Sequence, residues 1–382
     1  MLNIEDLEAE LARSKGELDE WFAKNRDLTA SFAKRLELLE NPDMDTISKV
    51  EYAGARPLEP GQLIKPYLRE WEDRDGAVGW MDKVLSGCPV AAVDGSQIYP
   101  SKEMFLSVAV VQSGLVLNRH GAGGHESASR LTILPPSEFG EWEMLPKHKD
   151  EQTDARRFQM ECLAMLGLFK KENGIYGFLD GSLVLSHIQS LRDDARQIYL
   201  SGLLDLLGAS EESGSVLAAY IDLSRSTDLF TLLCHLSGED VKSKVWDVGL
   251  LRDRMRWGDR TKVFQCDRDD RSGGRGTTAL DMYGRFKDQI CFFYLQLGSE
   301  TPARVEFPAW IFKKGLVNRL ADVVRAEVII KGDYPDILYR AHNQAVIRPK
   351  EAELFDRLIR KRFSGGGIGK SKKEMYKSIG GL

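Results

Sequence analysis

The sequence has little of three features that would assign it to a class at once: paired cysteines, long apolar runs and excess positive charge. Its five cysteines, spread over 382 residues, include no CxxC pair, which argues against a zinc site or a disulfide framework and favours a reducing compartment. No apolar run approaches the roughly 20 residues of a membrane span. The net charge is −5, so no global positive field indicates a polyanionic partner.

The N-terminal segment MLNIEDLEAELARSKGELDEW is acidic and has a helical pattern, which does not match a secretory signal. These properties predict a globular protein in the cytoplasm. A hydrophobic content of 42% allows a sizeable core in one large or two ordinary domains. The predicted boundaries are an N-terminal helical region and linker at 1–84, an α/β domain at 85–350 with an insertion around 227–290, and a C-terminal helix and basic tail at 351–382.

Apolar residues between Leu7 and Leu39 recur mostly at spacings of three, four or seven. The stripe is too irregular for sustained heptads, so it favours helices packed on the main domain over an oligomerisation coil. Residues 41–61 are polar and contain proline, which is typical of a linker. The charged, glycine-rich stretch near 269–276 predicts a flexible loop within the insertion.

The α/β domain alternates between strand and helix patterns. CPVAAVDGSQI predicts a buried strand, MFLSVAVVQSG a second, and LVLNRH or SRLTILPP a third, with a hairpin-like turn at Gly114. A helix follows over Asp150–Lys171, and then come the strand of YGFLDGSLVL, a second helix, and the strand of VLAAYIDLSRS. The predicted order is therefore three strands, helix, strand, helix, strand.

Two of these strands end in the same way, because Asp94 and Asp180 each precede Gly-Ser. Carboxylates at the ends of central strands are held rigidly at a sheet edge, where ligands of α/β sheets bind. The Gly-Ser pair permits a sharp turn and leaves little bulk beside the carboxylate. A single Asp-Gly-Ser is more often an ordinary turn. Two strand-borne copies favour a site for magnesium or manganese, which take oxygen ligands.

Two further side chains extend this candidate site. Glu161 lies in the apolar stretch RRFQMECLAMLGLF, where a buried carboxylate needs a partner such as a metal; the alternative is an exposed helix position. His342 lies in YPDILYRAHNQAVI, and a helix there would place Leu338, Ala341 and Ala345 on its buried face with His342 beside them. The alternative for His342 is a histidine at the edge of the core that bonds a backbone carbonyl.

Strand-borne Asp, helix-borne Glu, strand-borne Asp and a late helix with His form the layout of RNase H-like nucleases. On this layout and six segments spread over roughly residues 85–347, the chain resembles the NurA nuclease family. The matching segments are AAVDGSQ, the glutamate helix, GFLDGSL, AAYIDLSRS, RVEFPAW and YPDILYRAH. The resemblance implies an RNase H-like mixed sheet flanked by helices and a manganese-dependent DNA nuclease, with magnesium as a possible replacement. It also implies a homodimer that works with a HerA-type hexameric ATPase in DNA end processing and double-strand break repair.

Carried over to this chain, the family's acidic cluster falls on Asp94, Glu161 and Asp180, which the resemblance implies as metal ligands. Its C-terminal tyrosine and histidine fall on Tyr334 and His342, and the histidine is a metal ligand or a proton donor. The family pattern leads us to expect a lysine where this chain has Arg225. A non-catalytic DNA-binding or ATPase-regulating subunit with the same fold is the alternative, and an RNA-directed nuclease also stays open.

Two other motifs resemble sites but are better explained otherwise. SGGGIGKS at 364–371 nearly spells a phosphate-binding loop, but a helix precedes it where such a loop needs a strand. The lysines from this motif onward predict a basic tail that contacts DNA or the ATPase; they are Lys370, Lys372, Lys373 and Lys377. HGAGGHES brings His120, His125 and Glu126 close in sequence, but its glycines favour a surface loop over a metal site.

Overall fold

The computed structural model describes residues 3–101, 106, 108–121, 123–142, 146–239, 243–271, 274–298 and 301–363. These residues contain eleven strands and eleven α-helices. The strands are β1 Gly54–Pro57, β2 Ile64–Lys65, β3 Val90–Ile98, β4 Ala109–Asn118, β5 His125–Leu134, β6 Tyr176–Asp180, β7 Val216–Ile221, β8 Arg260–Thr261, β9 Phe264–Asp267, β10 Ile290–Leu295 and β11 Ala303–Pro308. The helices are α1 Ile4–Ala33, α2 Met44–Ser48, α3 Arg74–Leu85, α4 Pro146–Lys171, α5 Asp193–Ser213, α6 Asp228–Ser237, α7 Asp247–Leu251, α8 Ala309–Lys313, α9 Val317–Lys331, α10 Asp336–Ala345 and α11 Pro349–Phe363.

The chain divides into two units, each assembled from three segments. The first unit takes Met1–Glu70, Ile221–Asp269 and Cys291–Val305, and the second takes Trp71–Tyr220, Asp270–Ile290 and Glu306–Leu382. The basic tail lysines and the SGGGIGKS motif lie outside the described residues. No helix in the described part of the chain is long and apolar enough to cross a membrane.

The second unit contains a mixed sheet in the order β7-β6-β3-β4-β5. Strands β3, β6 and β7 run parallel, while β4 pairs antiparallel with both β3 and β5. The parallel strands are short apolar runs with buried residues such as Ala92 and Phe178, as expected for strands covered on both faces. The predicted order of three strands, helix, strand, helix, strand is confirmed, and so is the RNase H-like mixed sheet flanked by helices.

Helices α4 and α10 cover opposite faces of β3 and β4. Side chains of a strand alternate between its two faces, and residues paired across an antiparallel ladder share a face. Gly114, opposite Asp94, faces α10, since a Cβ there would lie 2.6 Å from Ala345 N. Gly95 faces α4 instead, because an added Cβ would overlap the Glu161 carboxylate. Asp94 and Gly95 therefore point to different faces of the sheet.

The predicted turn at Gly114 is wrong, because β4 runs through this residue without a break. Gly114 is required for a different reason: the backbone of α10 approaches β4 so closely that a Cβ would lie 2.7 Å from the Gln344 carbonyl carbon. The turn follows Asn118 instead, and β5 forms the third strand, close to the SRLTILPP alternative. Glycine in a strand interior thus marks a close backbone approach here.

The first unit contains antiparallel strands and a buried network of charges. Strand β9 pairs with β1 and β10, and β8 pairs with β2 and β10, so the segment predicted as linker contributes β1 to this unit. Asp228 lies 2.7 Å from Arg268 and 2.9 Å from Arg304, both in ion pairs. Asp247 accepts backbone N–H groups at the start of α6. Pairing of this kind is what allows buried charges to persist.

Helix α1 contacts the first unit mainly at its C-terminal end, where Phe32 packs on Phe230 with ring centroids 4.7 Å apart. The expectation that its apolar stripe packs on the main domain is wrong for the N-terminal part. Trp21 and Phe22 are 59% and 61% exposed, and Leu11 is 53% exposed. The first two-thirds of α1 therefore present apolar side chains to solvent.

Candidate active site

Asp94 and Asp180 lie side by side on neighbouring strands, at the level where β6 ends. Strands β3 and β6 are parallel, and Val93 pairs with Leu179, so the next residue on each strand is an aspartate. Residues that follow a paired position on neighbouring parallel strands lie next to each other in the sheet. The repeated motif thus places two carboxylates next to each other on rigid elements.

The Asp94 carboxylate is fixed by two hydrogen bonds. His342 Nδ1 donates to Asp94 Oδ2 at 2.8 Å, and the Gly95 backbone N–H donates to Oδ1 at 2.7 Å. Asp94 is mostly buried, whereas the His342 side chain is 59% exposed. The buried positions predicted for Leu338, Ala341 and Ala345 are correct, and His342 lies beside them at the surface. The two residues that the sequence placed 248 positions apart are therefore in direct contact.

The two Asp-Gly-Ser motifs differ in backbone geometry. After Asp180 the strand ends, and Gly181 has a φ of +135°, so a turn follows as predicted. After Asp94 the strand continues to Ile98, and the predicted turn is wrong. Gly95 instead provides space, because an added Cβ would overlap Glu161 Oε1 and lie 2.7 Å from Arg157 Cγ. One glycine supplies a conformation and the other leaves room for a carboxylate from α4.

The two serines each anchor a neighbouring segment. Ser96 Oγ donates to the Ala345 carbonyl at 2.6 Å, which ties β3 to the end of α10. Ser182 Oγ donates to Glu306 Oε2 at 2.7 Å, and the Leu183 N–H donates to the same oxygen at 2.7 Å. Glu306 belongs to the RVEFPAW segment and is fully buried. Each serine thereby holds part of the scaffold that positions its own aspartate.

Glu161 is buried at 5% exposure and forms an ion pair with Arg157, one helical turn earlier on α4. Burial raises the pKa of Glu161 to about 7, and the charges of Asp94 and Asp180 act in the same direction against the effect of Arg157. The prediction that this carboxylate requires a partner is correct, and the partner observed is a guanidinium. The helix face that carries Glu161 is turned toward Gly95.

Tyr334 lies on the Asp180 side of the site. Its hydroxyl donates to Asp180 Oδ2 at 3.0 Å. Its ring meets the edge of the Tyr220 ring, with centroids 5.4 Å apart, and Tyr220 pairs with Asp180 across β7 and β6. Tyr334 and His342 therefore approach the two aspartates from the loop before α10 and from α10 itself.

Two residues of this site were missed by the sequence reasoning. Arg157 precedes Glu161 by four positions, a spacing that places both side chains on one side of a helix and was available as a signal. Glu306 had no such signal, because its partners Ser182 and Leu183 are more than 120 positions away. Its burial in β11 follows only from the tertiary structure.

The other candidates lie apart from this cluster. His120 is 3.3 Å from Glu327, and Glu126 pairs with Arg119 at 2.9 Å, so these two side chains of HGAGGHES have separate partners. Arg225 belongs to the first unit, where its guanidinium carbon lies 5.4 Å from the Trp246 ring centroid. Across the described ranges, no three His, Cys, Asp or Glu side chains are grouped as a ready-made metal site.

Comparison with known proteins gives a family match. The model of the NurA domain matches residues 88–347. A search of curated proteins finds no match. Among solved structures, one of NurA bound to dAMP and manganese is similar at 10% identity, covering 94% of this chain and 98% of that chain, with a TM-score of 0.48. One of NurA with manganese is similar at 10% identity over 91% and 98% of the two chains, with a TM-score of 0.45. The family model covers well over half of the sequence, and the chain belongs to the NurA domain family.

Proposed function

We propose that this protein is a metal-dependent deoxyribonuclease that hydrolyses phosphodiester bonds in single- and double-stranded DNA. The observation that carries the proposal is the register of β3 and β6, which places Asp94 and Asp180 side by side. The buried Glu161 lies against Gly95, the residue after Asp94, and the charges of both aspartates act on it. Three carboxylates repel a phosphodiester unless a cation lies between them, and membership of the NurA family supports a nuclease.

The residues present fit a hard divalent cation. Asp94, Glu161 and Asp180 offer carboxylate oxygens, which magnesium and manganese prefer. Two of them are fixed on neighbouring strands, and the third is buried beside a glycine at which an added Cβ would overlap it. The cluster already contains one positive group, Arg157, as expected where negative charge is concentrated away from water.

In this proposal Asp94, Glu161 and Asp180 hold the cation, which when bound supplies an activated water and charge neutralisation at the phosphate. Asp94 orients the His342 ring through Nδ1, which leaves Nε2 to bind metal or to pass a proton to the departing oxygen. Tyr334 holds the Asp180 carboxylate through its hydroxyl. Glu306 and Ser182 keep the turn after Asp180 in place.

The test is cleavage of labelled single- and double-stranded DNA with manganese, with magnesium, and with chelator. Manganese is the ion that the family resemblance implies. We expect cleavage with metal and none with chelator, and a loss of about 10²-fold or more in Asp94→Asn. Asp193→Asn is the matched control, because this side chain is 88% exposed on α5. Cleavage that persists with chelator in a pure preparation contradicts the proposal.

The same assay separates the alternatives from the sequence. A folded protein that binds manganese and DNA without cleaving either strand would favour a non-catalytic subunit, and preferential cleavage of RNA would change the substrate class. The family resemblance adds a homodimer, a HerA-type hexameric ATPase as partner, and DNA end processing in the cytoplasm to the proposal. Co-purification with the ATPase of the same organism tests the partner.

A further inference from the structure

Arg157 is a positive charge in direct contact with one of the three carboxylates. Its side chain is 26% exposed, and its guanidinium contacts Glu161 Oε1. The charges of Asp154 and Asp94 also act on it. Asp154 is engaged elsewhere, since its Oδ1 accepts hydrogen bonds from Tyr99 at 2.6 Å and Gln97 at 3.2 Å. Arg157 is therefore directed to Glu161.

The pair differs from an ordinary helix-surface ion pair. The neighbouring Arg156 pairs with Glu138 at a distance of 3.0 Å, with side chains that are 36% and 41% exposed, and pairs of that kind contribute little. The Glu161 side chain is only 7% exposed. Arg157 Nε is buried without a hydrogen-bond partner in the described structure. An unpaired buried donor costs free energy, so packing alone does not explain an arginine at this position. An arginine at position 157 is better explained by its positive charge beside Glu161 than by a contribution to the stability of α4.

We propose that Arg157 is a built-in counter-ion that occupies Glu161 when no metal is bound and that a divalent cation displaces from this carboxylate. The inference rests on the proposed function and adds a positioning residue to it. Both cations would bind the Glu161 carboxylate, whose Oε1 lies between the Arg157 guanidinium and the surface of Gly95. Two positive groups at one buried carboxylate repel each other strongly where water is scarce. Arg157 thus stabilises the metal-free protein and weakens metal binding.

The test is a manganese titration followed by electron paramagnetic resonance, which detects the free ion and needs no DNA cleavage. We compare the wild type with Arg157→Gln and Arg157→Lys, with Arg156→Gln as the matched control. We expect manganese affinity about tenfold or more higher in Arg157→Gln, because the competing charge is gone. Arg157→Lys keeps the charge and should stay within about threefold of the wild type. Arg156→Gln should match the wild type.

Thermal unfolding supplies the second measurement. Without metal, Arg157→Gln should unfold at a lower temperature than the wild type. Manganese should raise its unfolding temperature by more than it raises that of the wild type, since the ion replaces the missing charge. If this variant is unfolded in metal-free buffer, manganese is expected to restore the folded circular dichroism signal. Failure of that rescue overturns the inference.

The remaining outcomes separate this inference from the proposed function. Manganese affinity in Arg157→Gln within threefold of the wild type overturns the counter-ion role alone. An increase in affinity in Arg157→Lys as large as that in Arg157→Gln also overturns it. A wild type that binds no manganese at millimolar concentration contradicts the proposed function and the inference together. Metal-dependent cleavage by the wild type, measured in parallel, tests the proposed function independently of Arg157.

Discussion

At the scale of single residues, the three residues of each Asp-Gly-Ser motif have different roles. The aspartate faces the site, the glycine provides a turn at Gly181 or space at Gly95, and the serine anchors a second element. The strand positions of both aspartates followed from apolar runs that end in a carboxylate. The difference in backbone conformation between Gly95 and Gly181 could not be predicted, because it depends on whether α4 packs against the glycine.

His342 is the site residue whose role depends most on geometry. His342→Ala should lower the cleavage rate by about 10²-fold or more while the fold is retained, because a group that transfers a proton or binds metal is lost. His342→Asp should recover part of the rate with manganese, since a carboxylate can bind the ion but is a poor proton donor at neutral pH. Asn343→Ala, exposed on the same helix, is the control. Near-normal turnover in His342→Ala would remove this residue from the site.

Gly95 provides a test of packing at the site. Gly95→Ala would place a methyl group against the Glu161 carboxylate and 2.7 Å from Arg157 Cγ, so we expect loss of manganese affinity and activity by about tenfold or more. Gly79→Ala on α3 is the control, because nothing lies within 4 Å of an added Cβ there. An alanine at Gly95 that binds manganese as tightly as the wild type would show that Glu161 is not held against β3.

At the scale of elements, α10 is placed by contacts from three directions. Gly114 lets its backbone approach β4, Ser96 and Gln112 both donate to the Ala345 carbonyl, and Glu327 of α9 accepts the Ile337 N–H at its start. The helix itself was predictable from its apolar spacing. The position at which it packs on β4 was not predictable, because a glycine in a strand pattern gives the same local signal whether it marks a turn or a close backbone approach.

Glu327 also lies 3.3 Å from His120, so the stability of the contacts that anchor α10 depends on pH. Burial opposes charging of the His120 ring, but Glu327 and the Cys88 carbonyl outweigh it and raise the pKa of His120. A raised folded pKa means that the stabilisation is complete below about pH 6.5 and is lost as the pH rises through the folded value.

His120→Asn is the corresponding variant, since asparagine tolerates the φ of +46° at this position. The wild type should be more stable than the variant at pH 5.5 by about 1 kcal/mol, and the difference should shrink by pH 8.5. Denaturant unfolding at both pH values measures it. A difference that is constant with pH, or that grows as the pH rises, contradicts the ion pair.

At the scale of the whole molecule, the candidate site draws on residues from Asp94 to His342 and lies entirely in the second unit. The layout of its carboxylates was predictable, because strand and helix patterns alternate clearly between residues 88 and 221. The division into two units was not, because β1 and β2 are short and pair with strands some 200 positions later. Pairing over such distances leaves no local pattern.

The exposed apolar stripe of α1 and the family resemblance together predict a homodimer in solution. Light scattering of the isolated protein at micromolar concentration should give twice the monomer mass. A double substitution of the exposed ring residues, Trp21→Ser with Phe22→Ser, should shift the mass toward the monomer if this stripe contributes. A wild type that is monomeric under these conditions contradicts the prediction.

The central claim is that Asp94, Glu161 and Asp180 hold a divalent cation. A crystal grown with manganese and measured at the manganese absorption edge tests it most directly, because anomalous scattering locates the ion without reference to activity. We predict an anomalous peak within coordination distance, about 2.0–2.5 Å, of oxygens from at least two of the three carboxylates, with Arg157 moved away from Glu161. A fully soaked crystal with no peak at these carboxylates, or with its strongest peak elsewhere on the chain, would contradict the account.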